Sequence, residues 1–174
     1  LSHVHGCHSS AAVSGFHRRD LMFAKQHDRL SGSGVTQVVT ADHGFIDAPE
    51  EKVVHLALGG EVSSMLAAPL FGERRAAFCL VRAGAEEGFS AWASMTLAGK
   101  AVMVPGAAFL ASGLLGPGAA HEALAERVGS CTLLMEPGWT IVDEVEGEKA
   151  HRMIGVHGGL TADEMWVPLI RVRA

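Results

Sequence analysis

The sequence predicts an α/β protein, and three observations favour that class. Short β-branched segments with the pattern of strands alternate with longer segments that have the period of helices. One of the strands ends at a pair of polar residues, Asp42 and His43, where open α/β sheets place their binding residues. The chain has 174 residues, the length of an ordinary single domain. We therefore expect one domain that spans residues 1–174.

The first elements are a helix and a strand. Apolar residues recur at helical spacing among charged residues over 9–30, and Ser9 or Ser10 can cap this segment, which predicts a surface helix. A Ser-Gly-Ser-Gly turn follows at 31–34. The next segment, 35–40, is short and β-branched, so we expect a buried strand that ends at Asp42 and His43.

The rest of the chain continues the alternation. Thr161 and Glu164 form a T-x-x-E pattern that predicts a capping box, and Pro168 ends the short helix that it begins. The other predicted elements are strands at 76–82, 131–135 and 169–172 and helices at 86–97 and 119–128.

Composition and charge exclude several classes of function. The net charge of -5 argues against a protein that coats nucleic acid, because such proteins carry basic patches. The longest stretch of low charge, 101–120, contains Pro105 and Pro117, so we expect buried loop and strand there and no membrane span. The three cysteines are far apart without a C-x-x-C pattern, which indicates reduced, mostly buried thiols and no disulfide scaffold.

Ten histidines distinguish this composition. Those on the polar face of the first helix, such as His17 and His27, are expected to be solvated. His43 and His157 differ because each lies in a short loop next to glycine, where the backbone can approach a bound ion closely. Asp42 and His43 together offer an oxygen and a nitrogen suited to a divalent metal. A hydrogen-bonded Asp-His turn without metal explains this pair equally well.

A resemblance to a known family extends this interpretation. The run V-V-T-A-D-H-G at 38–44 and the run G-V-H-G-G-L-T at 155–161, followed by Glu164, resemble the alkaline phosphatase superfamily, in particular its nucleotide pyrophosphatase and phosphodiesterase branch. In that superfamily a strand ends in a T/S-x-D-H-G ligand pair, and a late H-G-G loop supplies another ligand. The opening L-S-H-V-H-G resembles the second half of the family's D-x-x-x-H element, with His3 as its histidine.

The resemblance runs nearly end to end and implies a fold and a cofactor. Residues 1–174 would be the carboxyl-terminal portion of an alkaline-phosphatase-like catalytic domain, an α/β/α sandwich around a central, mostly parallel sheet. The family pattern implies two divalent metal ions, usually zinc. His3 and His157 would bind one ion together with an aspartate ahead of Leu1. Asp42 and His43 would bind the other, together with an earlier aspartate and the Thr or Ser nucleophile.

The implied function is hydrolysis of phosphodiester or pyrophosphate bonds, with nucleotides as the expected small-molecule substrates. The family's nucleophile normally lies well before the D-x-x-x-H element, so no catalytic residue is expected in this chain, and the fragment alone should be inactive. Three alternatives stay open: hydrolysis of phosphomonoesters, phosphonates or sulfate esters on the same scaffold, a non-catalytic metal-binding domain, and an α/β domain without metal. No charged-then-apolar leader is visible, which favours the cytoplasm, although the chain opens with Leu1 and its true amino terminus is not visible.

Overall fold

The structure is a computed structural model that describes residues 1–149 and 151–174. Helices and strands alternate along the chain, which confirms the α/β class. In chain order they are α1 (Ser2–His5), α2 (Ser10–Leu30), β1 (Thr36–Thr40), β2 (Ile46–Asp47), β3 (Val53–Leu56), α3 (Glu61–Met65), β4 (Phe71–Glu73), β5 (Ala76–Cys79), α4 (Glu86–Thr96), β6 (Ala101–Pro105), α5 (Gly106–Ala111), α6 (Leu124–Val128), β7 (Cys131–Met135), β8 (Thr140–Asp143), β9 (Gly155–Val156), α7 (Ala162–Met165) and β10 (Leu169–Arg173).

The chain forms two compact units. The first consists of Leu1–Asp47 and Arg152–Ala174, and the second consists of Ala48–His151. The first unit therefore combines the two ends of the sequence, and it contains all four residues that the sequence nominates as metal ligands, His3, Asp42, His43 and His157.

The second unit holds the main hydrophobic core. Its four-stranded sheet has the order β4-β5-β7-β6, and each pair of neighbours is antiparallel. Strand β7 lies inside this sheet, and its residues Leu133 and Thr132 are fully buried. The apolar face of α4 adds Phe89 and Ala93 to the same core. Burial of these side chains is the main favourable contribution to the stability of this unit.

Strands β3 and β8 form the parallel pair of the structure, with Val53 opposite Thr140 and Leu56 opposite Asp143. In the described residues the other strand pairs are antiparallel. Of the mostly parallel sheet that the sequence predicts, these residues contain the one parallel pair, β3 with β8. Parallel strands need a long crossover connection, and the chain between β3 and β8 is long. The two-residue connection at Arg74 and Arg75 between β4 and β5 permits a hairpin.

The first unit is built from α1, α2, α7 and two short antiparallel ribbons, β1 with β10 and β2 with β9. Helix α2 begins as predicted, because the Ser9 hydroxyl accepts a hydrogen bond from the Ala12 N–H at 3.1 Å. The predicted final strand is confirmed as β10. Among the described residues, no helix is long and apolar enough to cross a membrane.

Several local expectations were wrong. Strand β1 is not buried: Gln37 faces inward, whereas Val38 on the opposite face is 59% exposed. Among the described residues β1 pairs with β10 alone, which leaves this face of the strand uncovered. The segment 111–120, expected to be buried, is exposed throughout. The helix expected over 119–128 begins only at Leu124, because the His121 ring accepts from the Ala123 N–H and holds a turn ahead of it.

Candidate functional site

The register of one short ribbon brings two distant loops together. Strands β2 and β9 are antiparallel, with Ile46 opposite Val156 and Asp47 opposite Gly155. One step further along this register, Phe45 lies opposite His157. The loop that carries His43 therefore meets the loop that carries His157.

Three imidazole rings converge at this point. The rings of His43 and His157 are stacked, with centroids 3.6 Å apart and an interplanar angle of 16°. The ring of His3 lies 5.3 Å from the ring of His157. The structure thus brings together three of the four residues that the sequence nominated from separate motifs.

The Phe45 ring contacts all three imidazoles. Its centroid lies 4.9 Å from that of His3, 4.8 Å from that of His43 and 5.4 Å from that of His157, each in a steep edge arrangement. Edge-to-face contacts of this kind are the favoured geometry of aromatic pairs. The sequence analysis missed Phe45. Its position directly after D-H-G was the available signal, because a residue there enters the strand beside the predicted ligands.

His3 reaches the cluster from the short helix α1. Its main-chain carbonyl accepts from the Ile154 N–H at 2.8 Å, and its ring Nδ1 lies 2.8 Å from the Gly155 carbonyl oxygen. A side chain at Gly155 would run into the carbonyl oxygen of Ser2. Glycine at this position therefore permits the close approach of α1 to β9 that places His3.

The hydrogen bonds of two rings define which nitrogen can bind a metal. Nδ1 of His3 lies against the Gly155 carbonyl, and Nδ1 of His43 lies 2.8 Å from the Gly44 carbonyl oxygen. A carbonyl only accepts, so each Nδ1 carries the proton and donates it. This arrangement fixes the tautomer in which Nε2 is the ligating atom, as is usual for metal-bound histidine. Imidazole nitrogens of this kind are donors that a divalent metal of the zinc type accepts.

Asp42 lies next to the cluster at the surface. Its side chain is 88% exposed, and its Oδ2 is 3.6 Å from Nε2 of His43. Backbone N–H groups of Asp42 itself and of His43 lower the pKa of the Asp42 carboxyl. The carboxylate is thus ionised at neutral pH and offers a hard oxygen beside the imidazole nitrogen.

The four nominated residues do not form a complete metal site. Within residues 1–149 and 151–174, no group of three or more His, Cys, Asp or Glu side chains is arranged to hold a metal ion. A structural zinc site needs four ligands and a catalytic one needs three from the protein. Further ligands are therefore required before either pair, His3 with His157 or Asp42 with His43, could hold an ion tightly.

Other acidic residues near the cluster support its loops. Asp47 accepts a hydrogen bond at 2.7 Å from the N–H of Cys7. Burial, followed by the Asp47 carboxylate, raises the pKa of the Cys7 thiol to about 12. The buried Glu164 side chain accepts from the Gly159 N–H at 2.8 Å. The Nδ1 atoms of His3 and His43 bind carbonyl oxygens and not these carboxylates.

The histidines of α2 lie outside the cluster. His17 is exposed, as expected. His27 differs from the expectation of a solvated ring: it is half-buried, and its Nδ1 lies 3.0 Å from Oε1 of the buried Gln37. This contact pairs a side chain of the helix with the inward face of β1, and it assigns His27 a packing role.

The chain is similar to known proteins in three-dimensional structure. No protein-family model and no curated protein sequence matches the chain. The fold is similar to human ectonucleotide pyrophosphatase/phosphodiesterase 5, with a TM-score of 0.73 and 14% identity over 98% of this chain and 43% of that one. It is similar to the murine protein of the same name, with a TM-score of 0.68 and 18% identity over 97% of this chain and 43% of that one.

A third solved structure belongs to another enzyme. Phosphonoacetate hydrolase from Sinorhizobium meliloti 1021, in complex with phosphonoformate, matches with a TM-score of 0.58 and 19% identity over 86% of this chain and 39% of that one. The chain thus spans less than half the length of the proteins it resembles. At these identities the likeness shows the fold, and it agrees with the resemblance of the motifs. The chain has the fold of part of an alkaline-phosphatase-like protein.

Proposed function

We propose that this chain is part of a metal-dependent hydrolase of phosphodiester or pyrophosphate bonds that acts on nucleotide-type substrates. The observation that carries the proposal is the convergence of His3, His43 and His157 at one point. They converge in a fold similar to proteins named as a pyrophosphatase/phosphodiesterase and a phosphonate hydrolase.

In this proposal the residues divide between two divalent ions, usually zinc. His3 and His157 serve one ion, and Asp42 and His43 serve the other, with the remaining ligands supplied by residues outside this chain. A pair of such ions stabilises the entering and leaving oxygens of an in-line displacement at phosphorus. The net charge of -5 is compatible with an anionic substrate, because bound cations dominate the local field.

The chain's own residues prepare the site in three ways. The Gly155 and Gly44 carbonyls hold the His3 and His43 rings with Nε2 available for ligation. Backbone N–H groups of Asp42 and His43 lower the pKa of the Asp42 carboxyl and so favour its ionised form. Phe45 packs against the three rings at steep angles and restricts their rotation.

The nucleophile and two ligand aspartates belong, in this proposal, to residues ahead of Leu1. The 174-residue chain alone is then inactive, and the protein from its native source has a mass well above 18.2 kDa. An intact mass near 18.2 kDa would instead favour a non-catalytic metal-binding domain.

A second candidate is hydrolysis of phosphonates on the same scaffold. The similarity to phosphonoacetate hydrolase favours it, although the TM-score of 0.58 is lower than the value of 0.73 for the phosphodiesterase match. The same ligands serve either reaction, so the choice depends on substrate contacts beyond this chain.

A substrate panel on the natural-length protein tests the proposal. We expect the nitrophenyl ester of a nucleoside monophosphate, a phosphodiester, to be hydrolysed faster than nitrophenyl phosphate, phosphonoacetate or nitrophenyl sulfate. Chelation should abolish turnover and Zn²⁺ should restore it. Turnover of none of these substrates after Zn²⁺ is supplied would contradict the proposal, and fastest turnover of phosphonoacetate would select the second candidate.

A matched pair of variants connects the assay to the site. Asp42→Asn should lower turnover at least as far as the ~10–100-fold typical of changes around a metal site. Asp20→Asn, which alters an exposed aspartate of α2, should leave turnover unchanged.

A further inference from the structure

Glu164 is a buried carboxylate whose role the metal site does not explain. It lies in the short helix α7 and is 3% exposed. Its Oε1 accepts from the Gly159 N–H at 2.8 Å, and its Oε2 accepts from the Thr161 hydroxyl at 2.7 Å. A buried carboxylate is stable only when such hydrogen bonds replace its hydration.

The capping box expected from Thr161 and Glu164 is not formed. The Thr161 side chain makes no capping hydrogen bond at the start of α7, and its hydroxyl donates to Glu164. The carboxylate reaches beyond its own helix to Gly159. The motif therefore closes the loop that leads from His157 into α7 and does not cap that helix.

The main chain of Glu164 holds the second histidine loop. Its carbonyl oxygen accepts from the Gly44 N–H at 2.8 Å, and Gly44 is the neighbour of His43. A side chain at Gly44 would run into the carbonyl oxygen of Asp163, so glycine permits this close contact. The residue thus touches the His157 loop through its side chain and the His43 loop through its backbone.

We propose that Glu164 is a positioning residue that clamps the His43 and His157 loops together and sets the stacking of the two rings. Its importance for hydrolysis rests on the proposed function, in which these rings are metal ligands. The clamp itself consists of the three hydrogen bonds above, from the Gly159 N–H, the Thr161 hydroxyl and the Gly44 N–H. Its effect on ring geometry can be measured without metal or substrate.

The test compares variants of the natural-length protein, freed of metal, by NMR of the histidine ring protons. Stacked rings shift each other's protons upfield, so the wild type should show such shifts for His43 and His157. Glu164→Ala should lose them. Glu164→Gln should keep them, because its amide oxygen accepts from Gly159 and its amide group can donate to the Thr161 hydroxyl. Asp163→Ala, which alters an exposed neighbour on the same helix, is the matched control and should keep them.

Zinc binding gives a second readout. In the natural-length protein, we expect Glu164→Ala to weaken Zn²⁺ affinity by ~10–100-fold, the usual effect of removing a group that orients a ligand. Unchanged ring shifts in Glu164→Ala would overturn the clamp. If Glu164→Ala fails to fold, Thr161→Val takes its place, because it removes one hydrogen bond to Glu164 and no capping bond. Altered ring-proton shifts of His157 in this variant would support the clamp, and unaltered shifts would overturn it.

The two proposals fail in different ways. A wild-type natural-length protein that binds no Zn²⁺ would contradict the proposed function, whatever the ring shifts of the variants. A wild type that binds Zn²⁺, with ring shifts indifferent to Glu164→Ala, would contradict the clamp alone.

Discussion

The imidazole rings of His43 and His157 stack with centroids 3.6 Å apart, although the two residues are far apart in the sequence. The pairing of β2 with β9 and the contact between Gly44 and Glu164 hold these loops together. Two stacked imidazoles gain little in water by themselves. Their arrangement therefore reflects the surrounding backbone, and several variants can test that backbone separately.

Phe45 should stabilise the imidazole cluster by contact with its three rings. Phe45→Leu removes these edge contacts at similar side-chain volume. We expect a loss of about 1 kcal/mol in the free energy of unfolding, in line with aromatic pairs in proteins, measured by urea denaturation. Phe16→Leu, on the exposed side of α2, is the control and should change it by less than about 0.5 kcal/mol. Equal effects of the two variants would exclude a special role for Phe45.

Gly44 should be intolerant of any side chain. A Cβ atom there meets the Asp163 carbonyl, so Gly44→Ala should lower the free energy of unfolding by ~1–3 kcal/mol, the usual range for overpacking. Gly88→Ala is the control, and it should raise the free energy of unfolding. In α4 its Cβ meets only Met65 at ordinary contact distance, so alanine should stabilise by ~0.5–1 kcal/mol. Denaturation curves of both variants check this, and a neutral Gly44→Ala would contradict the close packing of this loop.

Ser9 should anchor the start of α2. Its hydroxyl accepts from the Ala12 N–H and donates to the Gly6 carbonyl. Ser9→Ala should lower the free energy of unfolding by about 1 kcal/mol and speed hydrogen exchange at the Ala12 amide. Ser10→Ala, one residue further on and exposed, should do neither. Unchanged exchange at Ala12 would show that the cap does not form.

Cys7 should resist alkylation, because its raised pKa of about 12 leaves very little thiolate at pH 8. Compared with a thiol of the ordinary value 9.0, the thiolate fraction is lower by ~10³. Asp47→Asn still accepts from the Cys7 N–H but removes the negative charge, so iodoacetamide should react faster with Cys7. Mass spectrometry of the labelled peptides measures this. Equal rates in both proteins would remove Asp47 as a cause.

The same thiol affects stability at high pH. Its folded pKa lies above the unfolded value, so its contribution is present below about pH 9 and is lost as the pH rises towards 12. The wild type should therefore lose more stability than Cys7→Ser between pH 9 and 11. A parallel decline of the two proteins would contradict the raised pKa.

The fold class and the metal-ligand candidates were predictable because their signals are local. The strand that leads to Asp42 and His43, the cap at Ser9 and the H-G-G loop each lie within a few adjacent residues. The position of Phe45 directly after D-H-G was visible in the sequence, but its contacts with the three rings were not predictable, because they depend on the register of β2 and β9. The clamp by Glu164 was mistaken for a capping box, since both need the same T-x-x-E spacing and only the fold shows which donor the carboxylate meets.

The errors have a common physical cause. Val38 and the segment 111–120 are apolar, and apolar residues predict burial only when another element covers them. In the part of the chain that the structure describes, β1 is hydrogen-bonded to β10 alone, and the outer face of the strand stays exposed. Such coverage is a long-range property that the periodicity of one segment does not contain.

The central claim is that the imidazole cluster binds a divalent metal, and a Zn²⁺ titration tests it most directly. The natural-length wild-type protein and its His157→Ala and His17→Ala variants should be compared by calorimetry at neutral pH. We predict that His157→Ala weakens Zn²⁺ affinity at least about tenfold, as loss of a ligand should, and that His17→Ala, an exposed histidine of α2, leaves it unchanged. Equal Zn²⁺ affinity of the wild type and His157→Ala would contradict the claim.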